Sequence, residues 1–414
     1  MSRKDTIYLD YASATPIDKR VLNLMSKYDK DFFANATSIH KGGVRARAII
    51  EESREIIAKG INAHNDEIIF TGSSTESVAM VILGIVNNYQ LNNKGIIPHI
   101  ITSTIEHPAV LMNFKLLEKR GRAEVTYIKI NDKGIIDPKE VRTAIRKNTI
   151  LVSIMYANNE IGTIQPIQQI AKEIRHYRNQ MLDVSRRRTT SDSIFPLFHT
   201  DATQAMNYLY TSNVEKLGVD LLSFNGGKIY GPKGVGVLYK KRGIKLSPIY
   251  SGGEQEFGLR SGTENVSSIA GLALAFQITN KIKDKEVARL TKIRDYAIDK
   301  LLNIKKLPFV VHLNGDKKER LPNNINISIE GISSELLVIE LDAKGIEVSS
   351  KSACRSGEDD DSYVIKAIHE ARGESVDREI GSLRITLGRN TNKSDIEKLI
   401  SVLTKILEKY SKFI

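Results

Sequence analysis

The sequence predicts an α/β fold: a mostly parallel central sheet with helices on both faces, joined to a smaller α+β domain. Three observations predict it. Over the first 270 residues, short β-rich runs alternate with amphipathic helical runs. Clusters of polar residues follow the apolar runs, where strands of a parallel sheet hand over to helices. Beyond about residue 270 the pattern changes to a long helical run, two strand-like runs and a closing helix. A chain of 414 residues exceeds what one small core serves. The expected division is a large domain over 16–264 and a small domain built from 1–15 and 265–414.

Taken in order, "EIIFTG", "HIITST", "EVTYIKI", "TILVSIMYA", "PLFHTDA", "DLLSF" and "GVGVLYK" are short, β-branched or aromatic runs bounded by polar residues, and they read as strands. Between them, "VRARAIIEESREIIAKGI" places Val44, Ile49, Ile56 and Ile57 near one helical face, and "PIQQIAKEIRHY" is a second amphipathic helix. In the later part, "DKEVARLTKIRDYAIDKLLNI" carries Val287, Leu290, Ala297 and Leu301 at helical spacing. "NINISI" and "SLRITLG" read as strands. "SDIEKLISVLTKIL" reads as the last helix, opening with a Ser394-x-x-Glu397 capping box. The polar stretch 181–195, with three consecutive arginines, interrupts a helix-to-strand passage and reads as a surface insertion.

Composition removes several classes of function. Apolar content of 41% beside 27% charged residues describes an ordinary globular protein. No apolar run reaches the roughly 18 residues that span a bilayer, and the start lacks an apolar signal core, so the expected setting is cytoplasmic, with no membrane. One cysteine, Cys354, rules out an internal disulfide, and without clustered His or Cys no metal site is expected. The net charge of +12 comes from scattered lysines without an aromatic-spaced nucleic-acid motif, so direct nucleic-acid binding is not expected.

The chemistry sits where the strands end. "IIF" leads into Thr71-Gly72-Ser73-Ser74-Thr75 and then a helix, which gathers hydroxyls and backbone N–H groups into a phosphate site. "IITST" leads into Glu106-His107, "SIMYA" into Asn158-Asn159-Glu160, "FHT" into Asp201-Ala202-Thr203-Gln204, and "LLSF" into Asn225-Gly226-Gly227-Lys228. A lysine, a strand-end carboxylate, a phosphate cup and a flat imidazole suit pyridoxal phosphate better than a nucleotide. A carboxylate such as Asp201 beside the pyridine nitrogen would keep it protonated, so that the ring accepts carbanion electrons.

In sequence order, "YLDYASATP", "EHPAV", "NNEIGTIQPI", "DATQA", "KIYGPKGVG", "RSGTEN", "SSKSAC" and "RITLG" resemble the motifs of cysteine desulfurases of the NifS/IscS type. These belong to the class V aminotransferase branch of the fold-type I pyridoxal-phosphate enzymes. The resemblance implies roles for individual residues. Lys228 resembles the Schiff-base lysine, Asp201 the partner of the ring nitrogen and Gln204 the group bonded to the ring hydroxyl. His107 matches the imidazole that stacks on the ring and handles protons, and Asn159 an amide facing cofactor or substrate. Ser74 and Thr75, with Asn225, match the phosphate cup, and Thr263 a phosphate contact supplied by the second subunit of a homodimer. Asn35 and Arg384 match the clamp on the substrate carboxylate. Cys354 aligns with the thiol that takes sulfur from L-cysteine as a persulfide and leaves L-alanine. The family then passes sulfur to an iron–sulfur scaffold protein or a tRNA-thiolating enzyme.

Some positions depart from the family pattern. The usual Ser-x-His-Lys reads Asn225-Gly226-Gly227-Lys228, and the glycine before Ser-Ala-Cys is Lys351. Three alternatives stay open on sequence alone: a selenocysteine lyase or related lyase on the same fold, a non-catalytic desulfurase-like scaffold, and direct tRNA contact by the basic insertion.

Overall fold

The computed structural model describes residues 6–184, 195–304, 308–350, 362–374 and 380–412. Cys354, Lys351 and residues 185–194 of the basic insertion lie outside the described residues. The first part of the chain forms β1 (Ile7–Tyr8), α1 (Lys19–Asp31), α2 (Lys41–Ile61), β2 (Ile68–Thr71), α3 (Ser74–Asn92), β3 (His99–Ser103), α4 (Pro108–Lys119), β4 (Glu124–Ile128) and α5 (Pro138–Ala144). Next come β5 (Thr149–Ser153), α6 (Ile167–Val184), β6 (Leu197–Asp201), α7 (Val214–Leu217), β7 (Leu221–Asn225) and β8 (Gly236–Lys240). The last part is α8 (Val266–Leu302), β9 (Val311–Leu313), β10 (Asn324–Glu330), α9 (Ser334–Asp342), β11 (Ile346–Glu347), α10 (Tyr363–Arg372), β12 (Ile380–Thr386) and α11 (Lys393–Tyr410).

Seven strands make the central sheet in the order β2-β8-β7-β6-β5-β3-β4. Only β8 runs against its neighbours, and the other pairings are parallel. The ends of β2, β3, β5, β6 and β7 therefore open on one edge, which is what the polar clusters after those strands required. A strand buried on both faces sends adjacent side chains to opposite sides. Phe70, Ile101, Val152, Phe198 and Leu222 enter one core with α2 and α6. Their neighbours Ile69, Ile100, Leu151, Leu197 and Leu221 enter the other with α3 and α4. A third core lies between the β12-β10-β9 sheet, the C-terminal half of α8, and α11.

Three local expectations are revised. The helix expected near residue 284 is the second half of α8, a continuous helix of 37 residues. Its first half packs Leu272 and Phe276 into the core beside α2, and its second half packs Leu290, Ala297 and Leu301 into the third core. In α2, Ile57 is buried but Val44 is exposed, because the packed stripe is Ala46, Ile50, Ile57 and Ile61. The capping box of α11 is Asn392 with Asp395, not Ser394 with Glu397; the helix starts one residue before Ser394, so Ser394 lies inside its first turn.

α10 also packs away from the third core. Val364, Ile365 and Ile368 are buried in the core between the central sheet and α2. Among the described residues no helix is long and apolar enough to cross a membrane, and no group of three or more His, Cys, Asp or Glu forms a metal cluster.

Candidate active site

At the end of β2 the chain turns through Gly72 and Ser73 into α3. Ser73 is extended there and caps the helix, its hydroxyl accepting from the Glu76 N–H at 3.2 Å. The Asn225 side chain, arriving from the end of β7, donates to the Ser74 hydroxyl at 2.7 Å. The N-terminal N–H groups of a 19-residue helix and these two polar side chains form a cup suited to an anion. Thr75 beside them is exposed. Glu76 braces the cup: it accepts from the Gly72 N–H at 2.6 Å and from Arg260 at 2.9 Å. Thr263, three residues after Arg260, is exposed.

Lys228 follows β7 at the end of a short 3-10 turn, Gly226–Lys228. Its Nζ donates to the Ala12 carbonyl at 2.8 Å and also to the Ser13 carbonyl. Gln204 Nε2, from the end of β6, donates to the same Ala12 carbonyl at 3.0 Å. Arg384, on β12, is 1% exposed. Its Nη2 donates to Ser13 Oγ at 2.7 Å and to Asp10 Oδ1 at 2.8 Å, and its Nη1 to the Asn159 carbonyl at 3.1 Å. The segment Asp10–Ser13 is thus where lysine, glutamine and guanidinium meet.

Asp201 closes β6, nearly buried, and one of its oxygens accepts from the Thr203 N–H at 2.9 Å. His107 caps α4, with Pro108 at the first helical position and Nδ1 accepting from the Ala109 N–H at 3.1 Å. That bond leaves the proton of the neutral ring on Nε2. Burial pushes the His107 imidazole below its ordinary pKa; the Asp201 carboxylate opposes this, and Lys228 and Arg384 reinforce it. Glu106, fully buried beneath it, is pushed up to about 8, first by burial and then against bonds from Ser103 and the Met155 N–H. The Asp201 charge adds to that rise. His199, one layer deeper, bridges Ser153 at 2.8 Å and Ser223 at 3.1 Å, and burial lowers it to about 3. It is a neutral cross-strand tie under the site.

The structure therefore brings Lys228, Gln204, Arg384 and Asn159 together through shared hydrogen-bond partners, and places His107 and Asp201 within their electrostatic reach. It joins Ser74 with Asn225. It does not bring in Asn35, which is exposed and spends its side-chain oxygen on the Thr37 N–H and hydroxyl at 2.9 and 2.8 Å. Cys354 lies outside the described residues. Sequence reasoning missed Asp10, Ser13, Glu76 and Arg260, and named Glu106 at its strand end without giving it a role. The first two stand in the "YLDYASATP" stretch, and Arg260 opens "RSGTEN", so the quoted motifs held the signal without the roles.

Among the described residues eight buried side-chain polar atoms have no partner, and three of them belong to residues at or beside this crevice: Asn159 Oδ1, Arg384 Nε and Thr203 Oγ1. Buried polar atoms are almost always bonded, so an acceptor, a charged donor and a hydroxyl left over around one crevice fit a polar, anionic ligand. Together with the cup at Ser74, the donor set suits pyridoxal phosphate and an amino acid.

Known proteins resemble the chain in sequence and in shape. The sequence matches the Aminotransferase class-V family over residues 7–399. It is 44% identical over 406 residues to cysteine desulfurase IscS of Dictyoglomus turgidum, covering 98% of this chain and 95% of that one. It is 39% identical to cysteine desulfurase IscS 1 of Archaeoglobus fulgidus, covering 97% of each. A solved NifS-like protein superposes with a TM-score of 0.85 at 30% identity, over 98% of this chain and 100% of that one. SspA, solved in complex with cysteine, superposes with a TM-score of 0.73 at 31% identity, over 92% and 99% of the two chains. The chain belongs to the class-V aminotransferase family, in its cysteine desulfurase branch.

Proposed function

We propose that the chain is a cysteine desulfurase that converts L-cysteine to L-alanine and receives the sulfur on Cys354 as a persulfide. The observation that carries this is the meeting at Ser13: the Lys228 amine bonds its carbonyl and the Arg384 fork bonds its hydroxyl at 2.7 Å. Both cations reach one residue, so a substrate carboxylate held by the Arg384 fork would lie close to the Lys228 amine. Arg suits a carboxylate because its planar fork makes two bonds.

The family is pyridoxal-phosphate-dependent. The residues that would hold the cofactor are Ser74, Thr75 and Asn225 at the phosphate, Asp201 at the ring nitrogen, Gln204 at the ring hydroxyl, His107 over the ring and Lys228 at the aldehyde. When bound, pyridoxal phosphate withdraws electrons from the α-carbon of an amino acid and so loosens its side-chain sulfur.

The chain's own groups do the rest. Arg384, bridging to Asn159, orients the substrate carboxylate, exchanging its Ser13 and Asp10 bonds for it. Lys228 Nζ takes and returns protons at the α-carbon. His107, neutral through burial, offers Nε2–H to the reacting face. The Cys354 thiolate bonds to the substrate sulfur as the carbon–sulfur bond breaks; the electron pair stays on carbon, which is protonated to give alanine. Thiolate is the reactive form.

Thr263, exposed at the surface, fits a phosphate contact made across a homodimer, and Asn35 fits a substrate contact made once the crevice is filled. The persulfide is passed in the cytoplasm to an iron–sulfur scaffold protein or a tRNA-thiolating enzyme. The test is incubation with L-cysteine and pyridoxal phosphate, followed by intact mass and alanine assay. The expected result is a gain of one sulfur mapped to Cys354, with alanine formed in step. A Cys354→Ala protein that makes alanine at the wild-type rate would overturn the reading.

A further inference from the structure

The turn that carries Lys228 is closed by a side chain from near the start of the chain. Gly226–Lys228 is a 3-10 turn in which the Ile229 N–H donates to the Gly226 carbonyl at 3.0 Å. One more step of the same turn would bond the Tyr230 N–H to the Gly227 carbonyl. Instead the Thr15 hydroxyl stands between them, donating to the Gly227 carbonyl at 3.0 Å and accepting from the Tyr230 N–H at 2.8 Å. The Thr15 N–H donates to the same Gly227 carbonyl at 3.0 Å. With its amide so engaged, Tyr230 takes a φ of +61°, left-handed backbone that a bulky residue rarely adopts. Two contacts hold it there: the Asp18 N–H donates to its carbonyl at 2.9 Å, and its hydroxyl accepts from the Arg389 N–H at 2.8 Å. Thr15 itself is buried.

We propose that Thr15 is a positioning residue for Lys228: its hydroxyl, bridging Gly227 and Tyr230, fixes the root of the lysine so that the amine meets the cofactor aldehyde. The proposal rests on the reading of Lys228 as the lysine that holds the cofactor. In that step Nζ bonds to the aldehyde carbon and the aldehyde oxygen leaves as water. One short segment reaches both ends of the side chain. The Ala12 and Ser13 carbonyls accept from Nζ, and Thr15, two residues after Ser13, brackets the backbone from which the side chain springs. A lysine stem is flexible, so a shift of its root changes where the amine arrives. Only a group that donates and accepts at once can fill this place. Serine can therefore replace threonine here, whereas valine, of nearly the same shape, cannot.

The test compares Thr15→Val with Thr15→Ser in the full chain, stripped of cofactor and then given pyridoxal phosphate. Borohydride added at intervals reduces the link at Lys228 to a stable amine, and intact mass counts it. Binding of pyridoxine phosphate, which has the ring and the phosphate but an alcohol in place of the aldehyde, reports the cup alone. Thr15→Val loses two hydrogen bonds and is expected to slow capture at Lys228 about tenfold, with pyridoxine phosphate binding within about twofold of wild type. Thr15→Ser keeps both bonds and should capture within about threefold of wild type. Where Thr15→Val does not fold, Thr15→Ala removes the hydroxyl without setting a methyl against the Tyr230 N–H, and the same loss is expected of it. Capture at the wild-type rate without the hydroxyl overturns the proposal, whatever the melting temperature. So does an equal fall in pyridoxine phosphate binding, which would place the effect in the cup, and so does a Thr15→Ser protein as slow as Thr15→Val. A wild-type protein that captures the cofactor but makes no alanine from L-cysteine would instead overturn the desulfurase reading and leave the role of Thr15 as measured.

Discussion

Lys228 and Gln204 share one acceptor: the Ala12 carbonyl takes Nζ at 2.8 Å and Nε2 at 3.0 Å. The ends of β6 and β7 are thereby tied to a segment near the start of the chain. Replacing Gln204 by Leu removes one donor of similar volume and leaves the lysine bond. Cofactor affinity is expected to fall by up to about tenfold, the worth of one net hydrogen bond. Titrating the protein with pyridoxal phosphate by absorbance measures it, and unchanged affinity would remove Gln204 from the cofactor set.

Arg384 makes bonds that no lysine reproduces, since three acceptors, Asn159, Asp10 and Ser13, surround one planar group. For Arg384→Lys we expect KM for L-cysteine to rise about 10- to 100-fold, as lost bonds to a charged group cost about 1.5–3 kcal/mol. The change in kcat should be smaller. A KM within twofold of wild type would argue against the clamp.

Glu106 gives a pH signature. Burial holds its proton in the folded chain up to about pH 8, whereas the unfolded carboxyl releases it near 4.5. Between these values the folded state binds the extra proton, so this contribution is complete below 4.5 and is lost as pH rises through 8. Glu106→Gln keeps an acceptor for Ser103 and the Met155 N–H and cannot ionise. Its stability relative to wild type should therefore grow with pH over that window, by something on the order of 1 kcal/mol per pH unit. Melting curves at several pH values that run parallel for the two proteins would contradict this.

The two glycines before Lys228 differ. A Cβ on Gly226 would lie 2.4 Å from the Pro232 carbonyl oxygen, while one on Gly227 meets nothing closer than 3.5 Å. Gly226→Ala is expected to cost about 1–3 kcal/mol through overpacking. Gly227→Ala should be neutral or gain up to about 1 kcal/mol from a less flexible unfolded chain. Denaturant midpoints distinguish them. The same space at Gly227 means that the family's histidine is absent from a position whose backbone would admit a side chain.

How much of this was legible beforehand depended on how local the cause was. Strand ends were legible because each apolar run and its polar tail are contiguous, so Asp201, His107, Asn159 and Lys228 could be placed on one edge without any tertiary information. The continuity of α8 was not, because its first half is buried on nearly every side and lacks the 3.6-residue stripe that marks Leu290, Ala297 and Leu301. The α11 cap was misplaced for a simpler reason: Ser394-x-x-Glu397 fits the usual Ser/Thr-to-Glu/Gln pattern, whereas Asn392 and Asp395 make the same reciprocal bonds two residues earlier with side chains outside that pattern. The roles of Glu106 and Asp10 were invisible because their partners, Met155 and Arg384, are 49 and 374 positions away.

That last separation has a consequence for biosynthesis. Arg384 emerges from the ribosome about 370 residues after its counter-ion, so a nascent chain exposes Lys228 long before the guanidinium exists to complete the crevice. Binding of the amino-acid substrate is therefore expected to wait until translation has essentially finished, although every residue proposed to hold the coenzyme within this chain has been made once Lys228 has, and a truncated product ending before β12 would lack the Arg384 guanidinium.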